Sequence, residues 1–296
     1  LTLTQFVALG QNWRVMADLA LLALFAGLYS VPMYALIQMR SMPSHRSRII
    51  AANNILNALF MIASAGMAVV LLKAGVTVPQ LFLVTGVLNL LVAGYIFLIV
   101  PEYLLRFIAW VATRTVYRFK VRGDEHIPTS GAAILVCNHV SFVDAILLMA
   151  ASPRPIVFIM DHRIFKLPVL GTLFRLAKAV PIAPQKEDPQ AYERAFARAR
   201  EVLDGGDLLC IFPEGAITRD GQLGEFKGGV MKLLESNPVP VVPLALQNLW
   251  GSYFSRIDGA AMTKPFRRGL FSPVGLVAGE PLPAAQVSPA VLRERV

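Results

Sequence analysis

The chain has 296 residues, 55% of them hydrophobic, with a mean hydropathy of +0.57, too apolar for an ordinary soluble domain. Its formal net charge of +9 and pI near 9.8 suit nucleic acid or an anionic membrane surface, and the long apolar runs before about residue 112 decide for the membrane. The two cysteines, Cys137 and Cys210, exclude a disulfide scaffold, since each falls in an expected buried strand and reads as a reduced core residue of a cytoplasmic domain, not a metal ligand.

The chain opens on Leu1 without a signal-peptide pattern and reads as an internal piece of a longer protein. Uncharged runs from Leu19 to Met39, Ile49 to Leu72 and Ala74 to Pro101 each supply the ~20 helical residues that a bilayer needs. The first loop between them carries Arg40, His45, Arg46 and Arg48, and the second only Lys73, so the first is expected inside. The third span then also ends inside, where Arg106, Arg114, Arg118, Lys120 and Arg122 follow. Asp18 is placed near an interface. Gly27, Pro32, Gly66, Gly86 and Gly94 are read as kinks or close helix contacts, and Asn53, Asn54, Asn57 and Asn89 as polar interhelical groups.

Glu102 to Arg118 sets charges at multiples of four beside Leu104, Leu105, Ile108, Trp110 and Val111. This predicts an amphipathic helix on the inner leaflet. After Gly123 strands and helices alternate. Strands are expected at 132–137, 155–160, 179–182, 208–212 and 239–246, with helices from Ser141, over 164–176, and from Asp188-Pro189 to about Leu203. Ser288-Pro289 starts another helix, which the chain leaves unfinished, so a further segment is expected beyond Val296.

The stretch Asn138 to Asp144 joins the first of these strands to its helix. With Ser141 starting the helix, Asp144 falls in the first turn and His139 in the preceding turn. Two residues five apart on one helix face about 140° apart, whereas a turn histidine can fold back. Asp144 would then accept one imidazole N–H, fix the tautomer and make the other nitrogen a base without its own nucleophile, suited to a substrate hydroxyl. Taken alone, S-x-x-D is equally the mark of a capping box beside an incidental histidine. A metal-dependent hydrolase would need His139, Asp144, Asp161, His162 and Glu214 to converge, and no H-E-x-x-H supports it; no G-x-S-x-G elbow or nucleic-acid motif is present.

NHVSFVD at 138–144, FPEG at 212–215 and VPVVPLAL at 239–246 resemble, in spacing and order, the motifs of the glycerolipid acyltransferase family that includes lysophosphatidic acid acyltransferases. FPEGAITRDGQLGEFKGG and LWGSYFSR look more like bacterial 2-acylglycerophosphoethanolamine acyltransferases. GLYSVPMYALIQ at 27–38 resembles the last helices of a major facilitator superfamily lysophospholipid transporter, behind which such enzymes are fused and after which an acyl-carrier-protein synthetase domain often follows.

The resemblance implies an α/β acyltransferase domain, a mixed sheet flanked by helices, preceded by an all-α segment of three transmembrane helices. The expected divisions are 1–101 (membrane helices), 102–122 (interfacial helix and linker), 123–285 (acyltransferase) and 286–296 (start of a following segment). It implies an acyl transfer from acyl-ACP or acyl-CoA to the free hydroxyl of a lysophospholipid at the cytoplasmic face of the inner membrane. His139 and Asp144 would be catalytic, and Asn138, Ser141, Phe212, Pro213, Glu214, Gly215, Arg219, Lys227, Arg175 and Lys178 would bind substrate. The partners are the lysolipid, the acyl thioester, acyl carrier protein and membrane lipid, with no nucleic acid, metal or resident cofactor. PIAP at 181–184 lacks the arginine that many phosphatidate-forming members carry, which favours a phosphodiester lysolipid with an ethanolamine or glycerol head group. The alternatives are a 1-acylglycerol-3-phosphate acyltransferase, or a transporter fragment with a regulatory cytoplasmic domain.

Overall fold

A computed structural model describes residues 2–10, 12–42, 44–99, 101–166, 168–257, 259 and 271–296. The side chains of Pro32 and Arg40 lie outside what is described. The chain forms two compact units, residues 1–91 and 92–296.

The first unit holds α1 (Leu3–Ala8), α2 (Asn12–Arg40), α3 (Arg46–Lys73) and the start of α4 (Val78–Ile99). Thr2 caps α1, its hydroxyl accepting from the Gln5 N–H while the Gln5 side chain accepts from the Thr2 N–H. Asn12–Val31, α3 and α4 are long and apolar enough to cross a membrane, and no described residue of α3 or α4 is buried. Asn57 makes the expected interhelical bond, donating to the Tyr34 hydroxyl at 2.8 Å. Of the two roles expected of the glycines, kinks or close helix contacts, the second is not met among the described residues: a Cβ at Gly27, Gly66, Gly86 or Gly94 would meet nothing within 4 Å.

In the second unit the chain continues through α5 (Pro101–Val116), β1 (Tyr117–Arg122), β2 (Ala133–Cys137), α6 (Asp144–Ala151), β3 (Ile156–Asp161) and α7 (Pro168–Leu176). It ends with β4 (Val180–Ile182), α8 (Pro189–Asp204), β5 (Leu208–Ile211), α9 (Gly229–Leu234), β6 (Val241–Gln247), β7 (Ser272–Ala278) and α10 (Pro289–Arg295). The strands form one sheet in the order β1-β7-β6-β2-β5-β3-β4, parallel except for the antiparallel β6–β7 pair. Alternation sends Leu135 and Cys137 into a core with Leu147, Leu148 and Ala109, and Ile134 and Val136 into a second core with Phe196, Ala199, Val230 and Leu292. The central strand β2 is therefore buried on both faces, as its unbroken apolar run requires.

Several elements depart from the expectations. Residues 117–122, assigned above to the interfacial helix and linker, form a strand, because YRFKVR alternates inward Tyr117, Phe119 and Val121 with outward bases and pairs along β7. Strand β7 and helix α9 were not expected. The helix expected over 164–176 divides into a 3₁₀ turn at Ile164–Lys166 and α7, consistent with Pro168 opening a helix it cannot continue. Ser288 caps α10 by accepting from the Val291 N–H, but Leu292 is 1% exposed in the second core, so residues 286–296 pack as part of this unit.

The edge strand β4 contains Pro181. The Ile182 carbonyl accepts from the His162 N–H, so alternation turns Pro181, which has no N–H, to the unpaired side. Arg106, expected on the polar face of α5, turns inward instead: it donates to the Ser152 carbonyl at 2.6 Å, and burial lowers its pKa.

Candidate active site

The carboxyl ends of β2 and β5 carry the site, as expected of an open α/β sheet. Beyond β2, Asn138 adds a side-chain rung to β6: its oxygen accepts from the Leu246 N–H at 2.7 Å and its amide donates to the Leu246 carbonyl at 3.0 Å. The chain then turns, and α6 begins at Asp144, with Val143 as its cap, not at Ser141. Ser141 is held outside the helix by an antiparallel bridge to Ser255. Its hydroxyl accepts from the Val143 N–H and donates to Asp144 Oδ1 at 3.0 Å. The expected capping box is thus half present, with Asp144 reaching back to the Ser141 N–H while the serine hydroxyl does not cap it.

Asp144 is 0% exposed. Its oxygens accept from His139 Nδ1 at 2.8 Å, the Val140 N–H at 2.7 Å, the Ser141 N–H at 3.0 Å and the Ser141 hydroxyl. Every partner is a donor, which gives the buried carboxylate the compensation that such burial demands. His139 is 23% exposed at the side chain, and its ring stacks on Phe212 with centroids 4.2 Å apart and planes 19° apart. With Nδ1–H donated to Asp144, the lone pair lies on Nε2, which has no protein partner among the described residues.

The segment after β5 wraps around this histidine. Glu214 Oε1 accepts the His139 N–H at 2.7 Å and Oε2 accepts the Gly224 N–H at 2.8 Å. The Thr218 N–H donates to the His139 carbonyl at 2.9 Å. At the base of the loop the Lys227 N–H donates to Pro213, which is buried. Gly215 has φ +70°, a left-handed backbone that favours glycine, and a Cβ there would lie 2.5 Å from Lys227 Nζ, which would have to swing aside. Lys227 and Arg219 are exposed.

Arg175 and Lys178 are not brought to the dyad. They line a cavity of about 440 Å³ at the β4 edge with Phe165, Pro181 and Arg198, three strand spacings or about 14 Å from β2. Arg175 donates to the Phe165 carbonyl, and Lys178 pairs with Glu102 at 3.1 Å. Asp161, the last residue of β3, and His162 lie with Glu187 at the end of that strand. Among the described residues no His, Cys, Asp and Glu cluster is disposed to hold a metal ion, so the rival ligand set does not assemble.

Sequence reasoning missed what LWGSYFSR at 249–256 does. The Phe142 N–H donates to the Phe254 carbonyl at 3.2 Å, and the Ser255 hydroxyl accepts from the Gly251 N–H and donates to the Ser252 carbonyl. The Arg256 guanidinium lies 5.4 Å above the Phe142 ring, and burial pushes up the Tyr117 phenol. This segment is the brace behind the turn that carries His139. Its run of small and hydroxyl residues beside aromatics was the available signal.

Residues 118–247 match the family model described as Acyltransferase. The chain is 33% identical over 131 residues to a chloroplastic 1-acyl-sn-glycerol-3-phosphate acyltransferase of Arabidopsis thaliana, covering 44% of this chain and 36% of that protein. It is 34% identical over 147 residues to the 1-acyl-sn-glycerol-3-phosphate acyltransferase of Limnanthes douglasii, covering 49% and 50%. These matches span between about a third and a half of the relatives' own length. The crystal structure of the 1-acyl-sn-glycerophosphate acyltransferase PlsC of Thermotoga maritima superposes with a TM-score of 0.51 at 22% identity, covering 65% of this chain and 73% of that one; the likeness is one of fold.

Proposed function

We propose that the second unit is an O-acyltransferase that moves a fatty acyl group from an acyl thioester, carried by acyl carrier protein or coenzyme A, to the free hydroxyl of a lysoglycerophospholipid. The observation that carries this reading is the His139–Asp144 bond, which leaves Nε2 of a partly exposed ring as a base with no protein partner among the described residues. Nε2 removes the proton from the acceptor hydroxyl as its oxygen attacks the thioester carbonyl, and Asp144 stabilises the imidazolium. Collapse of the tetrahedral intermediate breaks the C–S bond, and the imidazolium returns its proton to the leaving thiolate.

For the acceptor, the relatives' names support 1-acyl-sn-glycerol 3-phosphate, giving phosphatidic acid. Exposed Lys227 and Arg219 on the loop after β5, with Lys227 Nζ over Gly215, support a phosphate-receiving role for that loop. One observation favours a phosphodiester lysolipid instead: Pro181–Pro184 offers no arginine. Membrane attachment is supported by the three long apolar helices and by α5. There Phe107, Ile108, Trp110 and Val111 are each more than a third exposed, Arg114 lies 4.7 Å over the Trp110 ring, and Ala109 and Thr113 are buried on the opposite face. Arg40, Arg46 and Arg48, at the end of α2 and the start of α3, support a cytoplasmic location for the acyltransferase unit.

The test is product analysis after offering labelled acyl carrier protein and acyl-CoA thioesters, with a panel of lysolipids, to the chain in lipid nanodiscs. Acylation of lysophosphatidate in preference to the others is expected. A preference for ethanolamine or glycerol lysolipids selects the second acceptor class, and no transfer at all sinks the reading.

A further inference from the structure

Both polar groups of the His139 peptide are held by one loop. Its N–H goes to Glu214 Oε1, and its carbonyl receives the Thr218 N–H. The other Glu214 oxygen holds the Gly224 N–H further along the same loop, so both carboxylate oxygens are spent within the protein. The loop is closed at its base by Lys227 N–H to Pro213, and Gly221 lies so close to the Trp250 indole that a Cβ there would sit 2.7 Å from its nitrogen. This loop also carries Arg219 and Lys227, neither with an ion-pair partner among the described residues, and Lys227 Nζ lies directly over Gly215. An anion received by these cations would act on the segment whose Glu214 carboxylate holds the His139 N–H.

We propose that Glu214 is a positioning residue that couples anion binding on the 215–227 loop to the placement of the His139 imidazole, so that the acceptor's phosphate raises turnover and not only affinity. This rests on the acyltransferase reading above and extends it. The physical basis is that binding energy from a non-reacting part of a substrate can hold a catalytic group in its reactive geometry, and a misplacement of about 1 Å costs about 10²-fold in rate. Glu214 does not touch the reacting atoms; it sets where the histidine backbone lies.

The experiment compares a lysophospholipid with the monoacylglycerol that has the same free hydroxyl and no phosphate, the latter with and without inorganic phosphite, using the full chain in nanodiscs. In the wild type, loss of the phosphate lowers kcat by about 10²-fold, and phosphite restores part of it. In Glu214→Gln the amide presents N–H to one of the two backbone N–H groups, so kcat on the lysolipid falls to the monoacylglycerol level and phosphite no longer activates. Gly224→Ala is a second variant that deletes nothing: its Cβ would lie 3.0 Å from Glu214 Oε2, and it should show a smaller loss of the same kind, in kcat and in phosphite response. A phosphite response that survives in both variants, or a phosphate effect confined to KM, overturns the coupling. A wild type that acylates no lysophospholipid removes the underlying reading, and the proposal with it.

Discussion

His139 Nδ1 stands 2.8 Å from Asp144 Oδ2 although the two residues are five apart in sequence. The distance is met because α6 does not begin until Asp144. The four intervening residues of the turn fold the imidazole back over the helix start, where the Val140 and Ser141 N–H groups converge on the same carboxylate. His139→Ala should lower acyl transfer by about 10² to 10⁴ while leaving the fold and thermal stability near wild type, since the ring is partly exposed. Retained turnover in that variant would refute the assignment of the base.

Asp144→Asn should be impaired to a similar degree and, unlike the histidine variant, should also lose stability. One amide position faces donors with N–H instead of a lone pair, and leaving such a buried group unsatisfied costs about 1–3 kcal/mol. Denaturation midpoints of the two variants measured side by side separate the chemical role from the structural one.

Gly215→Ala is expected to raise the KM for lysophosphatidate with a smaller effect on stability. Its Cβ displaces Lys227 Nζ, and φ +70° in a residue with a side chain costs about 1–2 kcal/mol. Lys227→Ala should raise the same KM without the backbone cost. Equal KM values in wild type and Lys227→Ala would take Lys227 out of the acceptor site.

Burial pushes the thiols of Cys137 and Cys210 up from their ordinary value of 9.0. Because the unfolded thiols ionise first, their contribution to stability is complete below about pH 8.5 and is lost as pH rises beyond it, by up to about 1.4 kcal/mol per pH unit for each. Alkylation by a thiol reagent at pH 8 should be blocked in the folded chain and rapid after denaturation. Fast labelling of the native protein would contradict the burial.

Leu292→Ala tests whether the last helix belongs to this unit. Removing a side chain only 1% exposed should cost about 2–5 kcal/mol. A change under about 0.5 kcal/mol, the size of a surface substitution, would mean the helix is peripheral.

What could be read from sequence was what is local. The strand before Asn138, the Asp188 cap with Pro189 behind it, and the placing of His139 in a turn all follow from neighbouring residues, and the structure has them. Strand β1 was missed because the helical spacing of Glu102 to Arg118 ran into it, although YRFKVR alternates with period two. Its partner β7 lies about 150 positions away, a pairing that no local pattern announces. In the same way FPEG was visible as a motif, but that Glu214 spends both oxygens on the backbone of His139 and Gly224 follows only from tertiary placement. Arg175 and Lys178 matched a motif and yet fall at another edge of the sheet.

Pro181 has a consequence separate from the missing arginine. A short edge strand with free amides would template a second chain and seed fibrous association, above all while the sheet is still being assembled. With a ring where the outward N–H would be, β4 offers an incoming strand no donor at its middle position. That one ring thereby keeps the margin of the sheet from polymerising.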